Sequence, residues 1–383
     1  MKQLSKMMLA AVASVALAAP AFAWDFSASG SSSATFKQQT YAPAEGDATT
    51  TADFSSSAGG VTISSSNSDG ANSATFSYTA DYNSDGDALN FDEYVSVSGS
   101  KKVGNWTASS ATTQYMQKDS TAGTPMTSNG SAVITLTDGS ITYKLGNAAH
   151  LSTAEKTSDG PMDGTQDAEA SVDAFDGFSV GLGVGPGTLT VALEMGSTGS
   201  SKGAGDATYL GEGTGGGAAL TCGAQKTGFG LNFAGDVGAD LTFTYGSGSA
   251  AMGSGCTDNA SANAATYSVM GLGVAVPVGA MTIALDYGTN VALWTIDNAQ
   301  GGSANAGWEI SLVMPVGDAT AGVNRSSKAT ITTEDAVAVD ATVKGGTELW
   351  YTVPIGAVSL SAGYGSEAVD GATTTQIGAE MSM

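Results

Sequence analysis

Apolar and polar residues alternate along much of this chain with a period of two, which is the pattern of β-strands. The clearest segment is 280–288, where one set of alternating residues is Met281, Ile283, Leu285 and Tyr287 and the other is Thr282, Ala284 and Asp286. Successive side chains of a strand point to opposite faces, so this segment has one apolar and one polar face. Similar alternating patterns at 236–246 and 354–365 predict further antiparallel hairpins.

Short turns and long connections follow one another along the chain. Tight turns are predicted at 185–187, 236–238, 277–279, 315–318 and 354–356. The connections between these hairpins are rich in Gly, Ser, Asn, Asp and Ala and cover 37–50, 117–129, 147–174, 197–225, 247–264, 289–304 and 327–346. This arrangement is typical of an all-β fold: a transmembrane antiparallel up-and-down β-barrel with short periplasmic turns and long extracellular loops. Strand counting gives about 18, or 16 if one N-terminal hairpin is omitted.

Aromatic residues near the strand ends agree with a membrane position. Three tyrosines lie at the far end of their strands (Tyr245, Tyr287 and Tyr364), and four tryptophans are predicted near the turn end (Trp24, Trp106, Trp308 and Trp350). Two aromatic girdles, one at each membrane interface, would have this distribution. The alternative is that aromatic residues simply favour strands.

Residues 1–23 have the features of a cleaved secretory signal peptide. Lys2 and Lys6 precede a short apolar stretch, and the stretch 21–23 fits an A-x-A cleavage site. An uncleaved membrane anchor is the alternative. Residues 24–383 are predicted to form a single β-barrel domain, located in the bacterial cell outer membrane.

Composition and charge exclude several classes of function. The full chain of 383 residues carries 36 Asp and Glu against 13 Lys and Arg, a formal charge of −23. Arg325 is its one arginine, so the basic surface that nucleic-acid binding requires is missing. The single histidine, His150, is not accompanied by a nucleophile motif, and we expect no enzyme activity.

The C-terminal segment completes a resemblance to Gram-negative outer-membrane porins. Ile377, Ala379 and Met381 alternate with polar residues as in the last strand of that family, although Met383 stands where a final Phe is usual. The resemblance covers the whole mature length. It implies passive diffusion of small hydrophilic solutes and ions through a water-filled channel. It also implies a homotrimer in the lipid bilayer of the outer membrane, and recognition of the last strand by the barrel-assembly machinery.

If the apolar face meets lipid, the polar face lines the pore. The candidate pore-lining residues are Glu194, Asp240, Asp286, Glu309, Glu348, Glu380 and, as the one base, Lys144. A mostly acidic lumen concentrates cations, so we expect a cation-selective channel. The alternatives are a substrate-specific channel, or a non-conducting structural or adhesive surface β-protein.

Many porins narrow their pore with one loop folded inward, and two long connections, 147–174 and 197–225, are candidates here. The first is favoured, because its stretch from Leu151 to Lys156 could form a helical turn. The constriction candidates in this connection are Glu155, Asp159, Asp163, Asp167, Glu169 and Asp173. An ordinary surface loop is the alternative.

Two further patterns concern ligands and cross-links. No cofactor is required, but 81–92 resembles a calcium loop, with Gly86 at the turn and oxygen ligands from Asp81, Asn83, Asp85, Asp87 and Asp92 or Glu93. An acidic hairpin without an ion is the alternative. Cys222 and Cys256 flank one hairpin on its long-loop side and could form a disulfide in an oxidising compartment, or be two free thiols.

Overall fold

The computed structural model describes residues 25–57, 60–85, 88–117, 131–158, 160, 175–197, 224–252, 265–295, 298–327, 329–331, 341–369 and 372–382. In these residues all regular structure is β, in 21 strands: β1 (Asp25–Gly30), β2 (Ser33–Ala42), β3 (Thr49–Ser57), β4 (Gly60–Ser68), β5 (Asn72–Asp85), β6 (Ala88–Val103), β7 (Trp106–Gln117), β8 (Ser131–Thr137), β9 (Ile141–Ala148), β10 (Phe175–Val184), β11 (Gly187–Ser197), β12 (Ala224–Asp236), β13 (Asp240–Met252), β14 (Ala265–Val278), β15 (Met281–Thr295), β16 (Asn298–Val316), β17 (Ala319–Ser326), β18 (Ala329–Ile331), β19 (Ala341–Ile355), β20 (Val358–Val369) and β21 (Ala372–Ser382). The predicted all-β, antiparallel, up-and-down fold is confirmed. Among the described residues, no helix has the length and apolar character needed to cross a bilayer. The signal-peptide prediction for 1–23 lies outside these residues.

The strands belong to two compact units. Unit 1 contains β1 and β4–β8, and unit 2 contains β2, β3 and β9–β21. In unit 1, β4–β8 pair in chain order and β1 pairs with β4. The paired positions place hydroxyl side chains in a row across the strands, through Ser27, Ser64, Ser77, Ser96 and Thr113. This row of the unit 1 polar face therefore carries no charge.

In unit 2 each strand from β9 to β16 pairs with its successor. The sheet continues from β17 through β19, β20 and β21 to β2. The C-terminal strand β21 is thus hydrogen-bonded along both edges. Its partner on one side is a strand from the N-terminal part of the chain.

Several strands differ from the predicted boundaries. The predicted loop 289–304 is largely a continuation of β15 and β16, which pair up to Thr295 and Asn298. The N-terminal region contains four strands where two were expected. This part of the sequence has Ser, Thr and Gly at alternating positions on both faces, so its hydrophobic pattern does not define the strand register.

Two-residue turns close four of the five hairpins where the sequence predicted turns, and the β12–β13 hairpin has a three-residue turn, 237–239. Gly279 and Gly356 each have a φ of 67°, a conformation that residues with a Cβ rarely adopt. Glycine at the first central position is the mark of the type II′ turn, whose twist matches that of the flanking strands. The β14–β15 and β19–β20 hairpins therefore turn with no additional loop residues.

Unit 2 is apolar on its exposed face and polar on its buried face. In β15 and β16, Leu285 and Ile310 are each 40% exposed, whereas Asp286 and Glu309 are 0% and 1% exposed. The same alternation continues in β19, where Leu349 is 50% exposed and Glu348 is fully buried. This is the reverse of the distribution in a water-soluble domain, where charged side chains are almost never fully buried.

Two tryptophans occupy positions other than those predicted. Trp308 pairs with Tyr287 on the apolar face, so it lies toward the long-loop end of the strands and not at the turn end. Trp350 shares the polar face with Glu348, because the two residues are two positions apart in β19. Trp350 is therefore not part of an outward-facing girdle.

Candidate functional site

An extended segment lies across the polar face of unit 2. It leaves β9 and comprises residues 149–158 and Gly160, and we call it the strap. From Ser152 onward, its hydrogen-bond partners extend from Asn232 of β12 to Glu348 of β19. Neighbouring strands are about 4.8 Å apart, so crossing from β12 to β19 covers roughly 28 Å. The eight residue steps from Ser152 to Gly160 reach about that distance only when extended. The predicted helical turn at 151–156 is therefore wrong.

Asp286 is the central attachment point of the strap. Its carboxylate accepts hydrogen bonds from the backbone N–H of Lys156 at 2.9 Å and of Thr157 at 2.8 Å. The hydroxyl of Thr157 donates a further hydrogen bond to Asp286 at 2.6 Å and lies 3.2 Å from Glu309 Oε2. Asp286 and Glu309 face each other on paired strands, so one threonine hydroxyl bridges two buried carboxyl groups.

The far end of the strap is held by β16, β17 and β19. The N–H of Ser158 donates to Ser311 Oγ at 3.3 Å, and Asn324 Nδ2 donates to the carbonyl of Ser158. The N–H of Gly160 donates to Glu348 at 3.3 Å. Gly160 also lies directly against Trp350, where no side chain could be accommodated. These contacts attach the strap to three strands beyond Asp286.

The near end of the strap is anchored by His150, which is 3% exposed. Its Nε2 lies 2.9 Å from the carbonyl of Gly146, which must accept, so Nε2 carries the proton and Nδ1 accepts from Ser179 Oγ at 2.9 Å. Both ring nitrogens are satisfied in this neutral form. The ring also packs against Phe175, with centroids 4.6 Å apart. Burial, assisted by the charge of Lys144, lowers the pKa of His150 below its ordinary value.

Glycines in the sheet make room for the strap. Leu151 lies directly over Gly230 and belongs to a small buried cluster with Phe175, Ala192 and Val269. A Cβ at Gly273 would lie 2.9 Å from Lys156 Cγ, closer than side chains normally approach. The strap is therefore packed directly onto the backbone of the sheet.

The strap carries one lysine whose charge is paired with the sheet. Lys156 Nζ lies 2.8 Å from Asp240 Oδ2, and the two side chains are 19% and 58% exposed. Next to it, Glu155 is exposed. Among the described charged groups around the strap, Glu155, Lys156, Asp240 and Lys144 are not buried, while Asp286 and Glu309 lie beneath the strap.

The predicted pore-lining residues thus fall into two groups. Glu194, Asp286, Glu309 and Glu348 are at most 4% exposed, and the strap covers the last three. The other three are Asp240, Glu380, which accepts a 3.3 Å hydrogen bond from Thr35, and Lys144, which donates to the Ala149 carbonyl at 3.2 Å. A role of these residues in a pore stays a prediction.

Some predicted sites lie partly or wholly outside the described residues. Of the constriction candidates only Glu155 is described, and Asp159, Asp163, Asp167, Glu169 and Asp173 are not; nor are Cys222 and Cys256. In the calcium segment the backbone of 81–85 pairs with that of 88–92, and the Glu93 carboxylate accepts a 2.6 Å hydrogen bond from Tyr78. Asp87 and the side chains of Asp81, Asn83, Asp85 and Asp92 are outside the description. Among described side chains, no group of three or more His, Cys, Asp or Glu is placed to hold a metal ion.

Thr157, Asn232, Thr244 and Asn324 were not identified from the sequence. Asn232 Nδ2 and Thr244 Oγ1 both donate to the carbonyl of Ser152, as Asn324 does to that of Ser158. The alternation of apolar and polar residues predicted that these strand residues lie on the inner face. It did not predict their hydrogen-bond partners, because these are backbone carbonyls 80 to 166 residues away in the chain.

Comparison with known proteins gives only structural similarity. No protein-family model and no curated protein matches the sequence. Among solved structures, a mutant of the Rhodopseudomonas blastica porin is similar over 93% of this chain and 100% of its own, with 13% identity and a TM-score of 0.42. A triple mutant of the same porin gives the same coverage, 12% identity and a TM-score of 0.40. These proteins belong to the family that the sequence resembles, but the similarity is too low to transfer the role of any residue.

The Thr157→Val variant should loosen the strap. It removes the hydroxyl that bridges Asp286 and Glu309, and hydrogen bonds to charged groups contribute about 1.5–3 kcal/mol each. We expect faster amide hydrogen exchange at 154–158, with the strands below unchanged. Thr153→Val is the matched control, since it makes the same change on the strap without removing a described hydrogen bond. Equal protection in both variants would contradict the role of Thr157.

Acid should release the near end of the strap. The folded state favours neutral His150, so its contribution is full above the unfolded pKa of about 6.5 and is lost as pH falls through the lower folded pKa. After correction for intrinsic exchange rates, protection of 151–153 should decrease between pH 7.5 and pH values below about 6. His150→Gln should abolish this pH-dependent loss of protection. A loss of protection that persists in the variant would show that another group titrates.

Proposed function

We propose that this chain is an outer-membrane β-barrel channel for passive diffusion of small hydrophilic solutes and ions. One observation carries the proposal: exposed side chains of the unit 2 strands are apolar and buried ones are polar. Leu285, Ile310 and Leu349 are 40–50% exposed, while their chain neighbours Asp286, Glu309 and Glu348 are at most 1% exposed. Such a surface is favourable in lipid and unfavourable in water.

The antiparallel pairing supports a membrane location. A bilayer contains no water to satisfy peptide groups, so β-structure crosses it only when strand hydrogen bonds are made within the protein. Every strand from β10 to β16 has partners on both sides among the described residues. Bacterial β-structures that cross a membrane lie in the outer membrane, and the A-x-A site at 21–23 fits export to that compartment.

The strap is the proposed constriction element. It lies flat on the polar face and is fixed at both ends and at its centre, so it narrows the lumen by a constant thickness of one extended chain. Its attachment consumes the carboxylates of Asp286, Glu309 and Glu348 as hydrogen-bond acceptors. Solutes therefore meet the side chains of Glu155, Lys156 and Asp240 near this level.

Cation selectivity is part of the proposal. With the signal peptide removed, 11 basic residues stand against 36 acidic ones, a formal charge of −25. Charged walls of one sign around a narrow aqueous path raise the local concentration of counter-ions. A homotrimer, recognition of the β21 strand by the barrel-assembly machinery, and the absence of catalysis complete the proposal.

Arginine on the apolar face should impair membrane insertion in a depth-dependent way. Ile283, 38% exposed, lies on the apolar face midway between the tip of the β14–β15 hairpin and Tyr287, and Val278 lies at the tip itself, 44% exposed. We expect Ile283→Arg to destabilise the protein in lipid by about 2–4 kcal/mol and Val278→Arg by about 0–1 kcal/mol. Urea unfolding in phospholipid vesicles measures both. Equal costs would argue against a bilayer around this face.

Planar-bilayer conductance under a salt gradient tests the channel itself. We expect stepwise conductance with a cation-selective reversal potential. Lys156→Gln should increase the preference for cations and Asp240→Asn should decrease it, because their charges are accessible and opposite.

The outcomes separate the alternatives. Anion selectivity would preserve the channel and overturn the acidic lumen. A folded, β-rich preparation that inserts but gives no conductance would favour a structural or adhesive surface protein.

A further inference from the structure

The one arginine of the chain points to the apolar face. Arg325 is exposed in β17 and alternates with Asn324 and Ser326, which are 0% and 3% exposed on the polar face. Its cross-strand neighbour in β16 is Ile310, 40% exposed on the apolar face. An arginine there, near the long-loop end of a short strand, requires a physical reason, since a lipid-facing arginine is costly.

Arg325 lies where its own cross-strand row changes from apolar to polar side chains. Toward β16 the row continues through Ile310 to Leu285, and toward β19 it continues through Thr347, Ser366, Thr375 and Thr40. The adjacent outward-facing row, toward the turns, contains Val323, Leu349, Tyr364 and Ile377. The last three are 41–56% exposed. The change from aliphatic and aromatic side chains to hydroxyls marks the edge of the apolar surface.

The guanidinium of Arg325 retains most of its hydrogen-bonding capacity. In the part of the chain that the structure describes, it makes no salt bridge and donates one hydrogen bond, to Thr347 Oγ1. Glu309 and Glu348, which are adjacent in the chain to the paired residues Ile310 and Thr347, lie on the opposite face of the sheet. A guanidinium has five N–H donors, so four remain for partners other than the described residues.

We propose that Arg325, with the hydroxyls of Thr347 and Ser366, binds the headgroup phosphate of an anionic lipid at the long-loop interface. The proposal rests on the membrane location in the proposed function, but not on conduction. A guanidinium matches the geometry of phosphate oxygens and forms charge-assisted bidentate hydrogen bonds with them. Its aliphatic stem covers apolar surface while the charge reaches the headgroup level. In a strongly acidic protein, this one arginine offers a defined place for an anionic lipid.

Native mass spectrometry of the full-length protein in detergent tests the site, with phosphatidylglycerol and phosphatidylcholine as probes. We expect wild-type protein to retain phosphatidylglycerol preferentially and Arg325→Gln to bind it about tenfold more weakly. Arg325→Lys should fall between them, because it retains the charge without the bidentate geometry. The matched control is Lys101→Gln, which removes one positive charge from an exposed position near the turn end of β6.

Each possible outcome supports or overturns the lipid site at Arg325. Unchanged binding in Arg325→Gln, or an equal loss in Lys101→Gln, would overturn the site in favour of general charge attraction. Displacement of the lipid by an equal concentration of inorganic phosphate would assign the site to free phosphate. Bilayer recordings of Arg325→Gln keep this test separate from the channel, since Arg325 lies on the face opposite the strap and conductance should be unchanged. Lipid binding that depends on Arg325 in a protein without conductance would overturn the channel alone.

Discussion

A peptide chain that crosses a sheet perpendicular to its strands cannot pair with any of them, so its amides and carbonyls need side-chain partners. This constraint explains the chemistry of the polar face. The strap donates four N–H groups, from Lys156, Thr157, Ser158 and Gly160, and the sheet supplies carboxyl and hydroxyl acceptors below them. Its carbonyls at Ser152 and Ser158 receive asparagine and threonine donors in the same way. The buried acids Asp286, Glu309 and Glu348, which the sequence predicts to line the pore, thus accept hydrogen bonds from the strap.

The two units meet the requirement of a polar face by different chemistry. In unit 1, hydroxyls on paired strands bond to one another, as between Ser96 and Thr113 at 2.8 Å and between Ser73 and Ser100 at 2.7 Å. Such pairs satisfy each other and add no charge. In unit 2 the carboxylates of Asp286 and Glu309 would repel each other if left alone. The Thr157 hydroxyl and the strap amides offset that repulsion.

The sequence was sufficient for the strands of unit 2 because their alternation is strict and their turns are marked by glycine. The hairpin through Gly279 matches the structure to within two residues at its turn. The sequence was insufficient for the N-terminal strands, because serine and threonine occupy both faces there and no apolar row fixes the register. The position of the strap in the chain could be predicted from the sequence, but its conformation could not. A helical spacing in six residues is weak evidence, and the path is dictated by acceptors on strands up to 188 residues away.

The glycines beneath the strap have a consequence for the order of folding. The strands of unit 2 can add one hairpin at a time, since each pairs mainly with its chain neighbours. The strap cannot, because its seat is a composite of Gly230, Gly273, Asp286, Asn324 and Glu348, which come from five different strands. No part of the chain presents that seat until β12 through β19 lie side by side. Docking of the strap is therefore a late event that occurs only on a completed wall, and the strap attaches only in molecules in which these strands have already paired.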